Sequence, residues 1–270
     1  MSERLFVRRM GRSGPVVVLL HGLGASSRIW GSVADELADD AMILCPDLLG
    51  FGRSPWPHAA YSVADHLAAL DATFEGLDRG AGRIVLGGHS TGAVLALEWA
   101  AAHPERFAGV VLVSLPVYGS AAEARAWIRS LSPLAWATVA RPDLGELICG
   151  VMCATRPFWR AVMPLLLPHL PPATARDVVL HDWVSYSGTP ANVIIDHHLE
   201  PAARRLAEAG VPVQLVHGTR DRTAPIERAR ALADACGWPL TVLDGQGHDL
   251  IISGPGTCAA ALRRANTGTG

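Results

Sequence analysis

Short, continuous apolar runs alternate with amphipathic stretches along most of this chain. Uninterrupted apolar runs of five or six residues are typical of strands that are covered on both faces. We predict such strands at residues 15–20, 41–45, 83–87 and 109–114, and, after a long gap, at residues 213–216 and 240–243. Residues 5–9 predict a short edge strand. Their alternation with helices predicts an α/β protein whose central sheet is mostly parallel and carries helices on both faces.

Helical spacing and capping residues occupy the stretches between these strands. We predict helices from Ser26 or Ser27 to Leu37, from Ser62 to Leu77, from Thr91 to His103, from Pro225 to Cys236 and from Ser253 to Arg264. The tail from Ala265 to Gly270 is small and polar, and we expect it to be disordered.

The alternation is interrupted once, between residues 116 and 199. This stretch is rich in tryptophan and proline and shows no strand pattern, so it predicts several short helices. We see no internal repeat and no low-complexity linker beside it. We therefore interpret residues 1–115 and 200–270 as one core and residues 116–199 as a helical insertion. It would lie over the strand ends, where α/β sheets bind their ligands.

Composition excludes several classes of protein. Half of the residues are hydrophobic and 18% are charged, which argues against disorder, and a net charge of −2 without a basic stripe argues against nucleic acid. The five cysteines include no C-x-x-C pair, so we expect no metal site and no disulfide framework. Without a signal-peptide pattern or an apolar run of about 20 residues, we expect a cytoplasmic monomer or homodimer with a small-molecule substrate and no membrane partner.

The strongest chemical motif is Gly88-His89-Ser90-Thr91-Gly92. It follows a predicted strand and precedes a predicted helix, which is the context that a G-x-S-x-G nucleophile turn requires. The two glycines allow a sharp turn that raises the Ser90 hydroxyl above the sheet. The N–H group of Thr91 then points to where negative charge develops on a reacting carbonyl.

A nucleophilic serine needs a base, and the base needs a carboxylate that orients it. His248 lies in a glycine-rich loop directly after the last strand, and Asp221 lies just past the strand before it. These positions make Ser90, Asp221 and His248 our predicted catalytic triad. Asp244, Asp249 and Asp196 are the competing carboxylates, of which Asp244 and Asp249 lie beside the base in sequence.

A second oxyanion donor is predicted in the loop after the first core strand. His21-Gly22-Leu23-Gly24 follows that strand directly, and the N–H group of Leu23 is the natural partner of the Thr91 N–H group. Gly24 is the next candidate.

Taken together, the motifs resemble the α/β-hydrolase fold superfamily. They are His21-Gly22-Leu23-Gly24, Pro46-Asp47-x-x-Gly50-x-Gly52-x-Ser54, the turn around Ser90, His217-Gly218-x-x-Asp221 and Gly247-His248, and the resemblance covers about residues 5–115 and 200–264. It implies the triad roles above and a helical cap, formed by the insertion, over the substrate pocket. It also implies structural roles for His21, His89 and the turn at Asp47. Dehalogenases and epoxide hydrolases of this superfamily carry aspartate at the position of Ser90.

Aromatic and methionine side chains of the insertion are the candidate pocket residues. With few charges around them, they favour an apolar or bulky substrate. The predicted lining residues are Tyr118, Trp127, Trp136, Met152, Trp159 and Trp183. His197 and His198 are adjacent and do not share a helix face, so we expect no metal there.

These features predict a cofactor-free serine hydrolase that cleaves an ester, thioester or lactone through an acyl-enzyme. The resemblance leaves other chemistries open: a carbon–carbon bond hydrolase, an acyltransferase, a haloperoxidase or an eliminating lyase. A noncatalytic receptor for a small ligand is the alternative from a different class. A purely structural role gives no reason for a complete triad.

Overall fold

The computed structural model describes residues 3–77, 83–131 and 141–267, and its centre is a seven-stranded sheet. The strands are β1 (Val7–Met10), β2 (Val16–Leu20), β3 (Met42–Pro46), β4 (Ile84–His89), β5 (Phe107–Val113), β6 (Val213–Gly218) and β7 (Leu240–Leu243). Their spatial order is β1-β3-β2-β4-β5-β6-β7. Only β1 runs antiparallel to its neighbour, so the predicted mostly parallel sheet is confirmed.

Helices lie on both faces of the sheet. They are α1 (Gly31–Leu37), α2 (Val63–Thr73), α3 (Thr91–Ala102), α4 (Ala121–Leu131), α5 (Pro142–Ala154), α6 (Arg156–Leu166), α7 (Pro172–Asp177), α8 (Trp183–Thr189), α9 (Glu200–Glu208), α10 (Ile226–Cys236), α11 (Leu250–Ser253) and α12 (Pro255–Thr267). No helix among the described residues is both long and apolar enough to cross a membrane.

Strand β2 carries apolar residues only, because both of its faces are buried. Successive side chains of a strand point to opposite faces of its sheet. Val16, Val18 and Leu20 belong to a core layer shared with α2, α3, α9 and α10. Val17 and Leu19 belong to the opposite layer, with α1, α11 and α12. Because both faces are buried, a polar residue at any of these positions would lose its hydration.

Two predictions need correction, the start of the first helix and the extent of the last one. The helix predicted to start at Ser26 or Ser27 begins as a 3₁₀ turn, Ser27–Trp30, with the Ser26 hydroxyl as its cap, and α1 follows. The chain end is ordered further than expected, because α12 continues to Thr267. Ala265 is buried against the sheet: a Cβ added at Gly109 would lie 2.6 Å from its carbonyl oxygen. Residues 268–270 lie outside the described residues.

Residues 116–199, which we call the helical segment, connect β5 to β6. Their described part contains α4 to α8 and a π-helical turn, Pro190–Ile195, and no strand, as predicted. The segment is attached to the loop after β3, where Gly52 N–H donates to the carbonyl of Leu180 (2.8 Å). A buried carboxylate, Asp177, also pairs with Arg28 at 3.1 Å.

His66 of α2 is buried against the helical segment. Its Nε2 lies 3.3 Å from the Thr189 hydroxyl, and its Nδ1 has no hydrogen-bond partner among the described residues. Burial lowers the pKa of His66 from its usual 6.5 to about 4. The folded protein therefore holds this ring uncharged over a pH range in which the unfolded chain protonates it.

This difference predicts that acid destabilises the fold between pH 6.5 and 4. In that window the unfolded state binds the additional proton, so the free energy of unfolding falls as pH falls. We expect His66→Gln to reduce that fall by on the order of 3 kcal/mol, which chemical denaturation at several pH values measures. His58→Gln, a substitution at the surface, is the matched control. An unaltered pH slope in His66→Gln would contradict the assignment.

Candidate active site

The turn between β4 and α3 presents Ser90 at the carboxyl edge of the sheet. Ser90 adopts φ 55° and ψ −122°, and its N–H donates to the Val113 carbonyl (3.0 Å). A Cβ added at Gly88 would lie 2.2 Å from the carbonyl oxygen of Gly92, and one at Gly92 would lie 2.3 Å from that of Leu20. Both glycines are therefore required because backbone approaches backbone, as the motif predicted.

The structure brings His248 and Asp221 together. His248 Nδ1 lies 2.9 Å and 3.0 Å from the two carboxylate oxygens of Asp221. Since a carboxylate only accepts, Nδ1 carries the proton, and Nε2 is left with the lone pair that a general base needs. The Asp221 side chain is fully buried and that of His248 is 18% exposed.

Asp221 is held in its charged form. Burial by itself would raise the pKa of Asp221, but the hydrogen bond from His248 and its charge outweigh burial and lower the net pKa below the usual 3.8. The backbone N–H groups of Thr223 (2.8 Å) and Ala224 (2.9 Å) also donate to Oδ1. A carboxylate with these donors remains ionised near neutral pH and stabilises a positive charge on the neighbouring imidazole.

The backbone of His248 is fixed as well as its ring. Its carbonyl oxygen accepts from the Ser114 hydroxyl (2.8 Å) and from His89 Nε2 (3.0 Å). The rings of His89 and His248 have their centroids 4.9 Å apart. Burial, reinforced by the proximity of His248, lowers the pKa of His89 to about 4, so His89 is a neutral donor. Sequence reasoning assigned His89 a packing role and missed Ser114, which has no local motif.

The loop Gly22-Leu23-Gly24 lies against the turn at Ser90. A Cβ added at Gly22 would lie 3.1 Å from the Cβ of Ser90. His21 supports the loop, because its Nδ1 donates to the Gly22 carbonyl and its Nε2 accepts from Leu48 N–H, both at 2.8 Å. Leu23 therefore lies one residue from the contact with Ser90. Thr91 is the first residue of α3, where an N–H group has no partner within the helix.

The competing carboxylates contact other groups. Asp244 accepts from the Thr219 hydroxyl (3.0 Å), and Asp196 accepts from Arg125 (2.7 Å). In the described part of the chain neither of them, nor Asp249, contacts the His248 ring.

Comparison with known proteins agrees with this architecture. The family model for the alpha/beta hydrolase fold matches residues 15–142. Lipase LipV of Mycobacterium tuberculosis is 35% identical over 199 residues, which are 65% of this chain and 73% of that protein. The chain belongs to the α/β-hydrolase fold family.

Solved structures show the same fold over almost the whole length of this α/β hydrolase. E-2-(Acetamidomethylene)succinate hydrolase has a TM-score of 0.74 at 21% identity, covering 96% of this chain and 94% of that one. The enol-lactonase from Burkholderia xenovorans LB400 has a TM-score of 0.71 at 22% identity, covering 97% and 96%. At these identities the likeness concerns the fold alone.

Within this α/β hydrolase, the Ser90 hydroxyl makes no hydrogen bond to His248 or to any other described residue. Catalytic hydrogen bonds are often long in structures without substrate and shorten only in the reacting complex. Ser90 is 8% exposed, so the residues around it exclude most water.

The predicted pocket residues occupy different surroundings. Tyr118 donates to the Thr223 carbonyl (2.7 Å) and Trp127 Nε1 to the Arg222 carbonyl (2.8 Å), so both line the loop that carries Asp221. Met152, Trp159 and Trp183 are half-buried on α5, α6 and α8, and among the described residues no hydrogen bond or ring contact joins them to the predicted triad. Trp136 lies outside the described residues.

Sequence analysis missed the helical-segment residue that meets the predicted oxyanion loop. A Cβ added at Gly24 would lie 3.4 Å from Cε2 of Tyr186, on α8. The Tyr186 ring stacks on His181 with centroids 4.5 Å apart. Spacing within α8 gives no sign of this contact, because it depends on how the segment folds back over residues 22–24.

The close approach at Gly92 predicts a local requirement for glycine. We expect Gly92→Ala to lower the free energy of unfolding by about 2–4 kcal/mol, because the new Cβ has to displace the backbone of Leu20. Gly150→Ala in α5 is the matched control, since its Cβ meets nothing within 4 Å. Helix propensity predicts that the control gains up to about 1 kcal/mol. Equal effects in urea denaturation would refute the requirement.

Proposed function

We propose that this α/β hydrolase is a serine hydrolase that cleaves an ester, thioester or lactone of a small to medium apolar molecule. The observation that carries the proposal is the His248–Asp221 hydrogen bond beside the strained turn of Ser90. A nucleophile turn, a base and an orienting carboxylate are the minimum for acyl transfer by serine. The name of the relative LipV, a lipase, fits a carboxylic ester substrate.

The proposed first step is attack by Ser90 Oγ on the substrate carbonyl. His248 Nε2 takes the hydroxyl proton, and the new C–O bond leaves a negative charge on the former carbonyl oxygen. The N–H groups of Leu23 and Thr91 stabilise that oxygen, while the Asp221 carboxylate stabilises the imidazolium. His248 then returns the proton to the leaving group, and an acyl-enzyme on Ser90 remains.

Water completes the proposed cycle. His248 removes a proton from water, which attacks the acyl carbon, and the proton passes to Ser90 Oγ as the acid is released. The neutral state of His89 matters here, because a second positive charge beside His248 would oppose imidazolium formation. Burial keeps that neighbouring charge absent.

We propose that the helical segment is a cap over the substrate pocket. Its α8 touches the loop of Leu23 through Tyr186, and its first residues, including Tyr118, contact the loop of Asp221. The Ser90 residue itself is buried. A substrate would pass between this segment and the core, and the aromatic rings of Tyr186 and Tyr118 at these two contacts favour an apolar acyl group.

Replacement of the nucleophile provides the direct test. With p-nitrophenyl esters of graded chain length, we expect Ser90→Ala to lower kcat by about 10⁴–10⁶-fold. A fluorophosphonate should add to Ser90 of the wild type, as peptide mass spectrometry would show, and leave the variant unlabelled. Ester turnover that survives Ser90→Ala would exclude the mechanism.

Substitution of two aspartates near His248 distinguishes a catalytic carboxylate from a structural one. We expect Asp221→Asn to lower kcat by about 10⁴-fold, because the amide fails to hold His248 in the required tautomer. Asp244→Asn is isosteric, lies in the same loop as His248 and still accepts from Thr219, so its kcat should stay within about threefold of the wild type. If steady-state kinetics instead showed the larger loss of kcat in Asp244→Asn, the carboxylate that orients His248 would be Asp244.

A further inference from the structure

Two peptide planes next to Asp221 are held at both of their ends. The N–H groups of Thr223 (2.8 Å) and Ala224 (2.9 Å) donate to Asp221 Oδ1. A trans peptide unit is planar, so its N–H and its carbonyl point in opposite directions from one rigid plane. The Thr223 N–H shares its plane with the Arg222 carbonyl, and the Ala224 N–H shares the next plane with the Thr223 carbonyl. Whatever holds these two carbonyls therefore also aims the two N–H groups at the carboxylate.

Both carbonyls are held by side chains of the helical segment. Trp127 Nε1 donates to the Arg222 carbonyl (2.8 Å), and the Tyr118 hydroxyl donates to the Thr223 carbonyl (2.7 Å). Burial and, after it, the charge of Asp221 raise the pKa of Tyr118, so the phenol keeps its proton and remains a donor. Each of the two side chains thus reaches the carboxylate through one peptide plane.

The next carbonyl of this loop, that of Ala224, is held from the sheet. His217 of β6 donates to it from Nε2 (3.0 Å), and the same nitrogen lies 3.4 Å from Asp221 Oδ2. A carbonyl only accepts, so the proton of His217 is on Nε2. Burial lowers the pKa of His217 and keeps the ring neutral. Three successive carbonyls therefore accept from side chains, one from the sheet and two from the helical segment.

Helix α4, which carries Trp127, is also fastened to the core beyond this loop. Glu123 of α4 pairs with Arg228 of α10 through two contacts, at 3.0 and 2.8 Å. The same carboxylate accepts from the Gly119 N–H (2.9 Å), which fixes the chain next to Tyr118. The two donors and the loop after Asp221 therefore share one support.

We propose that Tyr118 and Trp127 are positioning residues that act on the reaction through Asp221. The proposal rests on the proposed function, in which the Asp221 carboxylate orients His248. Without either donor, one peptide plane is free to turn and its N–H holds Oδ1 less well. A carboxylate that rotates orients His248 Nδ1 less well, so the start of the helical segment sets the rate of the chemical step. Neither polar atom has to touch the substrate for this effect.

Removal of each donor with retention of an aromatic ring tests the proposal. With p-nitrophenyl esters we expect kcat to fall about tenfold in Tyr118→Phe and about three- to tenfold in Trp127→Phe, with KM within about twofold of the wild type. Tyr61→Phe is the matched control, because the Tyr61 hydroxyl also donates to a loop carbonyl, that of Pro57 (2.6 Å). Its kcat should stay within about twofold, and urea denaturation checks that every variant is folded.

A double-mutant cycle shows whether the effect passes through Asp221. In an Asp221→Ala background the two peptide planes have no carboxylate to hold, so adding Tyr118→Phe should lower kcat by less than about twofold. The rate at which a fluorophosphonate labels Ser90 should follow the same pattern, and this measurement does not depend on the choice of ester.

Three results would overturn the positioning role while the proposed function stands. They are an unchanged kcat in both Tyr118→Phe and Trp127→Phe, a higher KM at constant kcat, which would place these side chains on the substrate, and an equal loss from Tyr118→Phe with and without Asp221. A wild type that neither hydrolyses the esters nor reacts with the fluorophosphonate overturns the proposed function, and this inference with it.

Discussion

The approach of α3 to the end of β2 is the constraint on which the rest of the site depends. Gly92 meets the Leu20 carbonyl so closely that no side chain fits, and Ser90 is held at φ 55°, outside the usual range for a residue with a Cβ. A backbone in such a region costs about 1–3 kcal/mol and persists only where its surroundings hold it. Here two buried core layers hold β2, β4 and α3 together, so the strain stays at the serine.

The proposed base, His248, is positioned by the neighbouring strand ends. His89 ends β4, Ser114 follows β5, Asp221 follows β6 and His248 follows β7. In a parallel sheet these ends meet at one edge, where ligands bind. Asp221 holds the ring of His248, whereas Ser114 and His89 hold its carbonyl oxygen. The imidazole is therefore restrained from both sides before a substrate arrives, which reduces the entropy that catalysis has to overcome.

A chain of contacts through the helical segment connects α5 to the loop of Leu23. The inner side of α5 packs toward His181, the ring of His181 stacks on Tyr186, and Tyr186 meets the loop of Leu23. The outer side of the same helix carries the exposed side chains of Leu144, Leu147 and Val151.

Apolar periodicity and local motifs by themselves determined the strand positions, the parallel sheet, the turn at Ser90 and the positions of His248 and Asp221. They succeeded because a buried strand and a nucleophile turn are specified by residues adjacent in the chain. Only the tertiary structure decided which of four carboxylates contacts His248, that Ser114 and His89 hold its backbone, and that Tyr186 rather than Met152 or Trp159 meets Gly24. It also decided that Phe158 and Leu165 face outward. Such contacts join residues up to about 160 positions apart, and the direction in which a loop or a two-sided helix presents its side chains depends on packing that no local pattern contains.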